Sequence, residues 1–108
     1  MSATALTVLP GGIDLVQEDG VTVLRLRGEV DTQVVDAWDA AGVAGACAAE
    51  VVDLSDTTFL DCRGLRLIVA QTDSARRAGR VPELRRPSRT VRRMLEITGT
   101  VPLFAAVC

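Results

Sequence analysis

Histidine and tyrosine are both absent from the 108 residues, and the aromatic residues are limited to two phenylalanines and one tryptophan. Without histidine the chain lacks the usual general base of nucleophilic enzymes and the usual switch at neutral pH. So few aromatic side chains also leave little material for stacking on nucleic-acid bases or sugars. These absences disfavour histidine-dependent catalysis and the recognition of bases.

Cysteines and long apolar runs are scarce as well. Cys47, Cys62 and Cys108 are an odd number without metal-ligand spacing, so neither a zinc site nor a disulfide framework is expected. No apolar run approaches the roughly 18 to 20 residues that span a bilayer, and the N-terminus lacks the pattern of a secretory signal. We therefore expect a cytoplasmic protein without a cofactor and without membrane contact.

What is present is the composition of one soluble globular domain, with 48% apolar and 24% charged residues. The charge is unevenly distributed along the chain. Residues 1–62 contain 11 acidic and 2 basic residues, a net charge of −9, whereas residues 63–108 contain 10 arginines and 3 acidic residues, a net charge of +7. Five of those arginines follow one another closely at positions 85, 86, 89, 92 and 93. Nucleic-acid binding is not expected from these arginines, because the whole chain is slightly acidic and contains no known nucleic-acid recognition motif. They are interpreted as a solvated face or as a contact for an acidic protein partner.

The first half of the chain is predicted to form a hairpin and a helix. Residues 1–12 have the composition of a flexible lead-in. Residues 13–27 are rich in β-formers and are interrupted by an Asp-Gly turn signal at 19–20, which predicts a β-hairpin. Asp31 or Thr32 is a good N-cap for a helix whose apolar residues are predicted to face the core, namely Val34, Val35, Trp38 and Ala41.

The second half is predicted to add two strand–helix units. A buried strand over residues 49–54 leads through a polar turn into a helix over residues 62–78, which Gly79 ends. A strand over residues 81–85 follows, and it belongs at a sheet edge because Pro82 cannot donate a ladder hydrogen bond.

A third helix and a last strand complete the predicted fold. The helix is predicted to begin after Ser88 and to end at Gly99, with Val91, Met94, Leu95 and Thr98 on one side. Residues 101–107 are predicted to form a strand. The order is β-β-α-β-α-β-α-β. This predicts the α/β class, a single domain over residues 13–108 with a mixed sheet of about five strands and helices packed on one side.

Four separated motifs stand out along the chain: Gly28-Glu29-Val30-Asp31, VVDLSDTTFLDCRGL at residues 51–65, Gly79, and PSRTVRRMLEITG at residues 87–99. In this order and spacing they resemble the motifs of the STAS domain family, and within it those of the bacterial anti-sigma-factor antagonists. The resemblance implies a small α/β domain that binds an anti-sigma factor of the ATPase/kinase fold (GHKL-type) and so releases a sigma factor. It implies no catalytic activity.

The resemblance also assigns roles around the start of the second helix. In such antagonists the kinase phosphorylates a serine that directly follows an aspartate. Asp61 matches that aspartate and Cys62 matches the serine, while Gly64 matches a glycine and Arg63 stands where a second small residue is usual. Asp31 matches an aspartate that contacts the partner. Since Cys62 has no hydroxyl, the usual phosphorylation is excluded at this position.

The residues of this turn carry physical signals of their own. Asp61 is a good helix N-cap. An arginine at 63 opposes the helix dipole and Gly64 lowers helix propensity, so two locally unfavourable choices indicate a functional surface. There Arg63 could bind a partner carboxylate and Gly64 could admit a partner's backbone, although an ordinary solvated arginine fits equally well. Cys62 is either a reactive thiol, favoured by the helix end and opposed by Asp61, or a small residue in the serine position.

Thr57 and Thr58 are predicted to lie in the loop before this turn, where their hydroxyls are alternative phosphate acceptors. The complete set of predicted partner-binding positions is Asp31, Thr57, Thr58, Asp61, Cys62, Arg63, Gly64 and Arg66.

Two further functions stay open from sequence alone. One is a sensory or scaffold STAS module that binds a small ligand or assembles into a larger signalling complex, for which a homodimer would be one form. The other is a thiol enzyme with Cys62 as nucleophile. The chain offers that enzyme no histidine base, and Ile68 occupies the arginine position of a Cys-x5-Arg phosphatase.

Overall fold

The structure is a computed structural model that describes residues 11–41 and 49–104. Strands and helices alternate after an initial hairpin, which confirms the predicted α/β class. In chain order the elements are β1 (Gly11–Glu18), β2 (Val21–Val30), α1 (Thr32–Ala40), β3 (Val51–Leu60), α2 (Cys62–Gln71), α3 (Asp73–Arg77), β4 (Glu83–Arg85), α4 (Arg89–Ile97) and a short 3-10 helix (Val101–Leu103).

The four described strands form one mixed sheet in the order β1-β2-β3-β4. β1 runs antiparallel to β2, and β3 runs parallel to both of its neighbours, β2 and β4. Asp19 and Gly20 both have positive φ angles, 50° and 81°, which is the geometry of a tight hairpin turn and confirms the predicted hairpin. β4 lies at the sheet edge, as the proline before it predicted.

One hydrophobic core joins the sheet to the helices. Leu24, Val52 and Leu84 are neighbours across β2, β3 and β4, and all three are fully buried. Helices α1, α2 and α4 pack apolar residues into the same cluster, namely Val34, Val35, Trp38, Leu65, Leu67, Ile68, Val91 and Leu95. The alternation of strand side chains puts these contacts on one face of the sheet.

β3 is longer than predicted. It was expected to end at residue 54 because polar residues follow, but it stays paired with β2 as far as Leu60, across two register shifts. Thr57 and Thr58 therefore lie in the sheet and not in a loop. The Thr57 hydroxyl is buried and donates to the backbone oxygen of Leu26 (3.0 Å), which makes it a poorer phosphate acceptor than the exposed hydroxyl of Thr58.

The predicted helix over residues 62–78 is divided into α2 and α3. Thr72 interrupts it, since its hydroxyl donates back to the carbonyl of Ile68 (2.8 Å), a bond that competes with regular helix geometry. Gly79 (φ 84°) and Gly99 (φ 71°) follow the ends of α3 and α4 in the left-handed conformation, as predicted.

Several predicted boundaries are wrong. Ala41 and Thr98 were expected to face inward but lie exposed at helix ends. The predicted strand over residues 101–107 is a 3-10 helix in its first three residues, which contain Pro102, and residues 105–107 lie outside the described residues. β1 already begins at Gly11, so the lead-in predicted for residues 1–12 is too long. Residues 1–10 lie outside the described part of the chain.

A row of alternating charges crosses the sheet on the face opposite the core. Asp14, Arg25, Asp53 and Arg85 are direct neighbours in the strand register. Ser55 donates to Asp53 Oδ1 from its backbone N (3.0 Å) and its hydroxyl (2.6 Å), and Arg85 Nη1 lies 3.7 Å from Asp53 Oδ2. Burial raises the pKa of Asp53, but the Ser55 hydrogen bonds and the charges of Arg85 and Arg25 outweigh it, so this pKa lies below its ordinary value.

Asp53 is therefore expected to stabilise the fold at neutral pH and to lose this effect in acid. Because the folded-state pKa lies below the unfolded one, the contribution is complete above the unfolded pKa of about 3.9 and disappears as the pH falls through the folded pKa. The contribution of Asp53 can be measured by urea unfolding of the wild type and of Asp53→Asn at several pH values from about 7 down to about 2. The difference in free energy of unfolding should shrink below about pH 4. A difference that is constant over the whole series would contradict this assignment.

Candidate partner-binding surface

β2 and β3 end side by side, and each leads directly into a helix. Asp31 caps α1, because its Oδ1 accepts a hydrogen bond from the backbone N of Val34 (3.1 Å). Asp61 caps α2 in the same way, accepting from the backbone N of Gly64 (2.9 Å). Each cap contributes about 1 kcal/mol to stability. The predicted N-caps are thus confirmed, and two helix N-termini lie at the same edge of the sheet.

The two helix starts are joined by hydrogen bonds. The Thr32 hydroxyl donates to Asp61 Oδ2 (3.4 Å), and the backbone N of Asp61 donates to the carbonyl of Val30 (3.2 Å). Thr32 was not among the predicted site residues, because a contact across 29 residues leaves no local signal. The structure therefore brings Asp31, Asp61 and Cys62 together along one edge.

Arg63 finds its carboxylates within the chain. Its Nη2 lies 2.8 Å from Asp36 Oδ1 and 3.7 Å from Asp39 Oδ2, both on α1. These side chains are about half exposed, so the ion pairs are worth little stability. They do explain why an arginine is tolerated at the start of a helix. They also occupy the group that was expected to bind a partner's carboxylate.

Gly64 is buried, and its small size serves packing within the protein. A Cβ atom at this position would lie 2.6 Å from Leu60 Cδ1, 3.1 Å from Val30 Cγ1 and 3.2 Å from the Val30 carbonyl oxygen. The start of α2 thus lies too close to the ends of β2 and β3 for any side chain. This replaces the expectation that Gly64 leaves room for a partner's backbone.

Cys62 is the first residue of α2, and its thiol is free and exposed. It lies between two adjoining clefts of about 380 and 520 Å³ that separate the start of α2 from α4. Both clefts contain Cys62, Thr90 and Met94; the first also contains Phe59, Leu60, Asp61 and Val91, and the second Arg89, Arg93, Ile97 and Thr98.

Exposed apolar side chains surround this thiol. Phe59 is 44% exposed and Ile97 is 74% exposed, and Met94 is half-buried between the clefts. Sequence reasoning missed Phe59 and Ile97 as site residues and read Met94 only as core. A signal for two of them exists: Thr90, Met94 and Ile97 recur at helical spacing and form a second stripe on α4 beside the core-facing Val91 and Leu95.

Four exposed arginines on α4 and just before it are not neutralised, and two of them, Arg89 and Arg93, line the second cleft. Arg86, Arg89, Arg92 and Arg93 are exposed, and none of them has an ion-pair or hydrogen-bond acceptor within residues 11–41 and 49–104. Arg85 differs, because its Nη1 pairs with Glu18 Oε1 (3.1 Å). The positive charge near α4 is thus available to an external partner.

The other predicted positions lie elsewhere. Arg66 is exposed on the side of α2 that faces α1, in a separate cleft with Arg63 and Asp39. Thr58 is exposed in β3, and Thr57 is buried. Cys47 and Cys108 fall outside the described residues.

Neither a metal-ligand cluster nor an apolar helix of bilayer length is found among the described residues. No three cysteine, aspartate or glutamate side chains in residues 11–41 and 49–104 are placed to hold a metal ion. Within the same ranges, no helix has both the length and the apolar character of a bilayer span.

The sequence and the fold are similar to those of known proteins. The family model of the STAS domain matches residues 12–107. The anti-sigma factor antagonist SpoIIAA in its unphosphorylated form superposes with a TM-score of 0.66 at 22% identity, over 89% of this chain and 87% of that one. An anti-sigma factor antagonist from Mycobacterium paratuberculosis superposes with a TM-score of 0.67 at 26% identity, over 88% and 82% of the two chains. No curated protein sequence matches. Because the family model spans nearly the whole chain, the protein belongs to the STAS domain family.

Proposed function

We propose that this protein is a non-enzymatic interaction module that binds an anti-sigma factor of the ATPase/kinase fold and so releases a sigma factor. The observation that carries the proposal is the setting of Cys62. It lies exposed at the start of α2, next to the cap residue Asp61, and it lines two apolar clefts, the second of which also contains Arg89 and Arg93. The similarity to two anti-sigma factor antagonists supports the choice of partner.

The composition of the surface is suited to a protein partner. Phe59, Met94 and Ile97 supply an apolar centre, and Arg89 and Arg93 supply a charged rim. An apolar centre with a polar rim is the usual anatomy of a specific protein interface. The complementary segment on the partner would carry apolar residues flanked by carboxylates.

Cys62 makes the binding independent of phosphorylation at this position. In a relative with serine here, a phosphate would add roughly −1.5 to −2 charges to the centre of the surface. A thiol accepts no phosphate from an ordinary serine kinase. The buried, hydrogen-bonded hydroxyl of Thr57 is a poor substitute, and Thr58 is the exposed hydroxyl nearest in sequence. We therefore propose constitutive binding under reducing conditions.

Mixing the protein with the GHKL-type anti-sigma factors of its own genome tests this proposal. Calorimetry with and without ATP should give the same affinity for one of them, and the intact mass should show no added phosphate. Cys62→Ser is the matched variant: it should gain one phosphate and lose affinity when ATP is present, while Cys62→Ala should behave like the wild type. Stoichiometric phosphorylation of the wild type, for example at Thr58, would overturn the constitutive part. Failure to bind any of these anti-sigma factors would overturn the choice of partner.

Cys62 cannot be phosphorylated as a serine would be, but its exposed thiol can be oxidised. Hydrogen peroxide converts an exposed thiol to a sulfenic acid, which would place a polar oxygen among the apolar residues of the clefts. We propose that this weakens partner binding. Peroxide should lower the affinity of the wild type and leave that of Cys62→Ala unchanged, and thiol reductant should restore it. Equal loss in both proteins would assign the effect to other residues.

A further inference from the structure

The two edges of the sheet differ in how well they are protected against further pairing. β4, at one edge, is only three residues long and follows closely after Pro82, and both features discourage the addition of a strand. β1, at the other edge, is eight residues long, pairs with β2 without a register shift, and contains neither proline nor lysine. Among the described strands, β1 therefore presents the one long and regular edge.

The direction of the backbone groups of β1 follows from the hairpin. Because the two-residue turn at 19–20 makes Glu18 and Val21 a hydrogen-bonded pair, every second residue of β1 points its backbone groups toward β2, and the residues between point theirs outward. The outward-pointing residues include Ile13, Leu15 and Gln17. Their backbone N–H and C=O groups have no hydrogen-bond partner within residues 11–41 and 49–104. They are available to a further strand.

The carboxylates of β1 are already paired within the chain. Asp14 Oδ2 lies 3.5 Å from Arg27 Nε, and Glu18 Oε1 lies 3.1 Å from Arg85 Nη1. Charged side chains along an edge strand normally discourage pairing with another chain. Because each of these two carboxylates has a cation beside it, that protection is weakened along β1.

Helix α1 leaves room beside β1 on the core-facing side of the sheet. Ile13 and Leu15 are half-buried and line an open groove between β1 and α1. The exposed residues that border this groove from the helix side are Ala37 and Ala41, so no long side chain of α1 closes it. Apolar side chains of an added strand would therefore find an apolar neighbour there.

We propose that β1 pairs antiparallel with β1 of a second copy of this chain, centred on Leu15, and so forms a two-fold dimer with one continuous sheet. The positions of the carboxylates select this register. A pair centred on residue 14 puts Asp14 opposite its own copy, and a pair centred on residue 16 puts Asp14 opposite Glu18. The pair centred on Leu15 puts Asp14 opposite Val16, so no two carboxylates face each other, and all of residues 12–18 are paired. Centres at residues 13 and 17 pair fewer residues of β1.

This dimer does not rest on the proposed anti-sigma factor partner. β1 contributes no residue to the clefts beside Cys62. Those clefts lie at α2 and α4, and α4 packs against β3, away from the β1 edge. The dimer would thus carry two accessible copies of the candidate partner-binding surface.

Sedimentation velocity of the full chain measures the dimer, with a thiol reductant present to remove intermolecular disulfides. We expect a reversible monomer–dimer equilibrium between about 1 μM and about 1 mM protein. Hydrogen exchange followed by NMR should show the backbone amides of Ile13, Leu15 and Gln17 exchanging more slowly as the protein concentration rises. The amide of Val16, which the hairpin already protects, should change less. A monomer over the whole range, or a dimer without added protection in β1, would overturn the proposal.

Gln17→Pro and Gln17→Ala separate backbone pairing from side-chain contacts. Both variants lose the side-chain hydrogen bond to Thr22, but only proline removes the outward N–H, and proline is tolerated at such an edge position. Gln17→Pro should weaken the dimer at least about tenfold, and Gln17→Ala by less than about twofold. Equal dimer affinity in the two variants would contradict pairing through β1.

Charges at residue 16 test the register. Val16 lies opposite Asp14 of the second copy, so Val16→Lys should tighten the dimer about fivefold and Val16→Asp should weaken it by a similar factor. Ile97→Asp, which changes the clefts beside Cys62, should leave the dimer affinity as it is. Equal affinity in the two variants of Val16 would rule out the register centred on Leu15. Loss of the dimer in Ile97→Asp would place the contact on α4 and overturn the role of β1.

Discussion

Ile97→Asp is expected to weaken binding of the anti-sigma factor by at least about 30-fold, the loss typical of a central hot-spot residue. Ile97 is 74% exposed in the free protein, so the fold gains little from it. In the proposed complex the new carboxylate would be desolvated among apolar side chains and would face a partner segment that itself carries carboxylates. Both effects disfavour the complex and neither acts on the free protein. Calorimetric titration with the anti-sigma factor measures the loss.

Val81→Asp is the matched control for that experiment. Val81 is also an exposed apolar residue, at 60%, and it lines neither of the clefts beside Cys62. Its replacement should change the affinity by less than about twofold, and both variants should keep the free energy of unfolding within about 1 kcal/mol of the wild type. Wild-type affinity in Ile97→Asp, or an equal loss in both variants, would remove α4 from the proposed surface.

Gly64→Val is expected to lower the free energy of unfolding by roughly 2–3 kcal/mol, which corresponds to a fall in Tm on the order of 10 °C. The added side chain would occupy the space of Leu60 Cδ1 and would press on Val30, at the point where β2 and β3 end. α2 would have to move away from the strands, and the Asp61 cap would loosen with it. Thermal and urea unfolding of the purified variant give the size of the loss.

Ala70→Val controls for the valine itself. Ala70 lies exposed on the same helix, so its replacement should cost only the difference in helix propensity, within about 0.7 kcal/mol. If Gly64→Val were no less stable than Ala70→Val, the close approach of α2 to the strand ends would not limit this position.

Local signals in the sequence predicted the parts of the fold that local chemistry decides. The Asp-Gly pair at 19–20 indicated the hairpin, Asp31 and Asp61 indicated the helix starts, and Gly79 and Gly99 indicated two helix ends. In each case a single residue satisfies a backbone requirement within a few positions of itself. The edge at which both helices begin was therefore recognisable before its geometry was known.

The errors concern features that distant residues decide. β3 continues to Leu60 because β2 pairs with it along its length, which outweighs the polar residues inside the strand. Arg63 pairs with Asp36, 27 positions earlier, so its surroundings cannot be derived from the turn that contains it. Likewise the exposure of Ile97 depends on how α4 lies against β3. The spacing of apolar residues predicted the stripe of α4 that faces the core. It could not predict that the second stripe, which contains Met94 and Ile97, lies beside the clefts at Cys62.

The arrangement of the two caps has a consequence for genetics. Asp31 and Asp61 start the helices and also border the proposed docking surface, so alleles at these codons combine a folding defect with a binding defect and would appear as temperature-sensitive losses of signalling. Ile97 caps no helix, and charged replacements there would lose signalling at every temperature while the protein stays abundant. Suppressors of the second class would lie in the partner's gene, and suppressors of the first class within this chain.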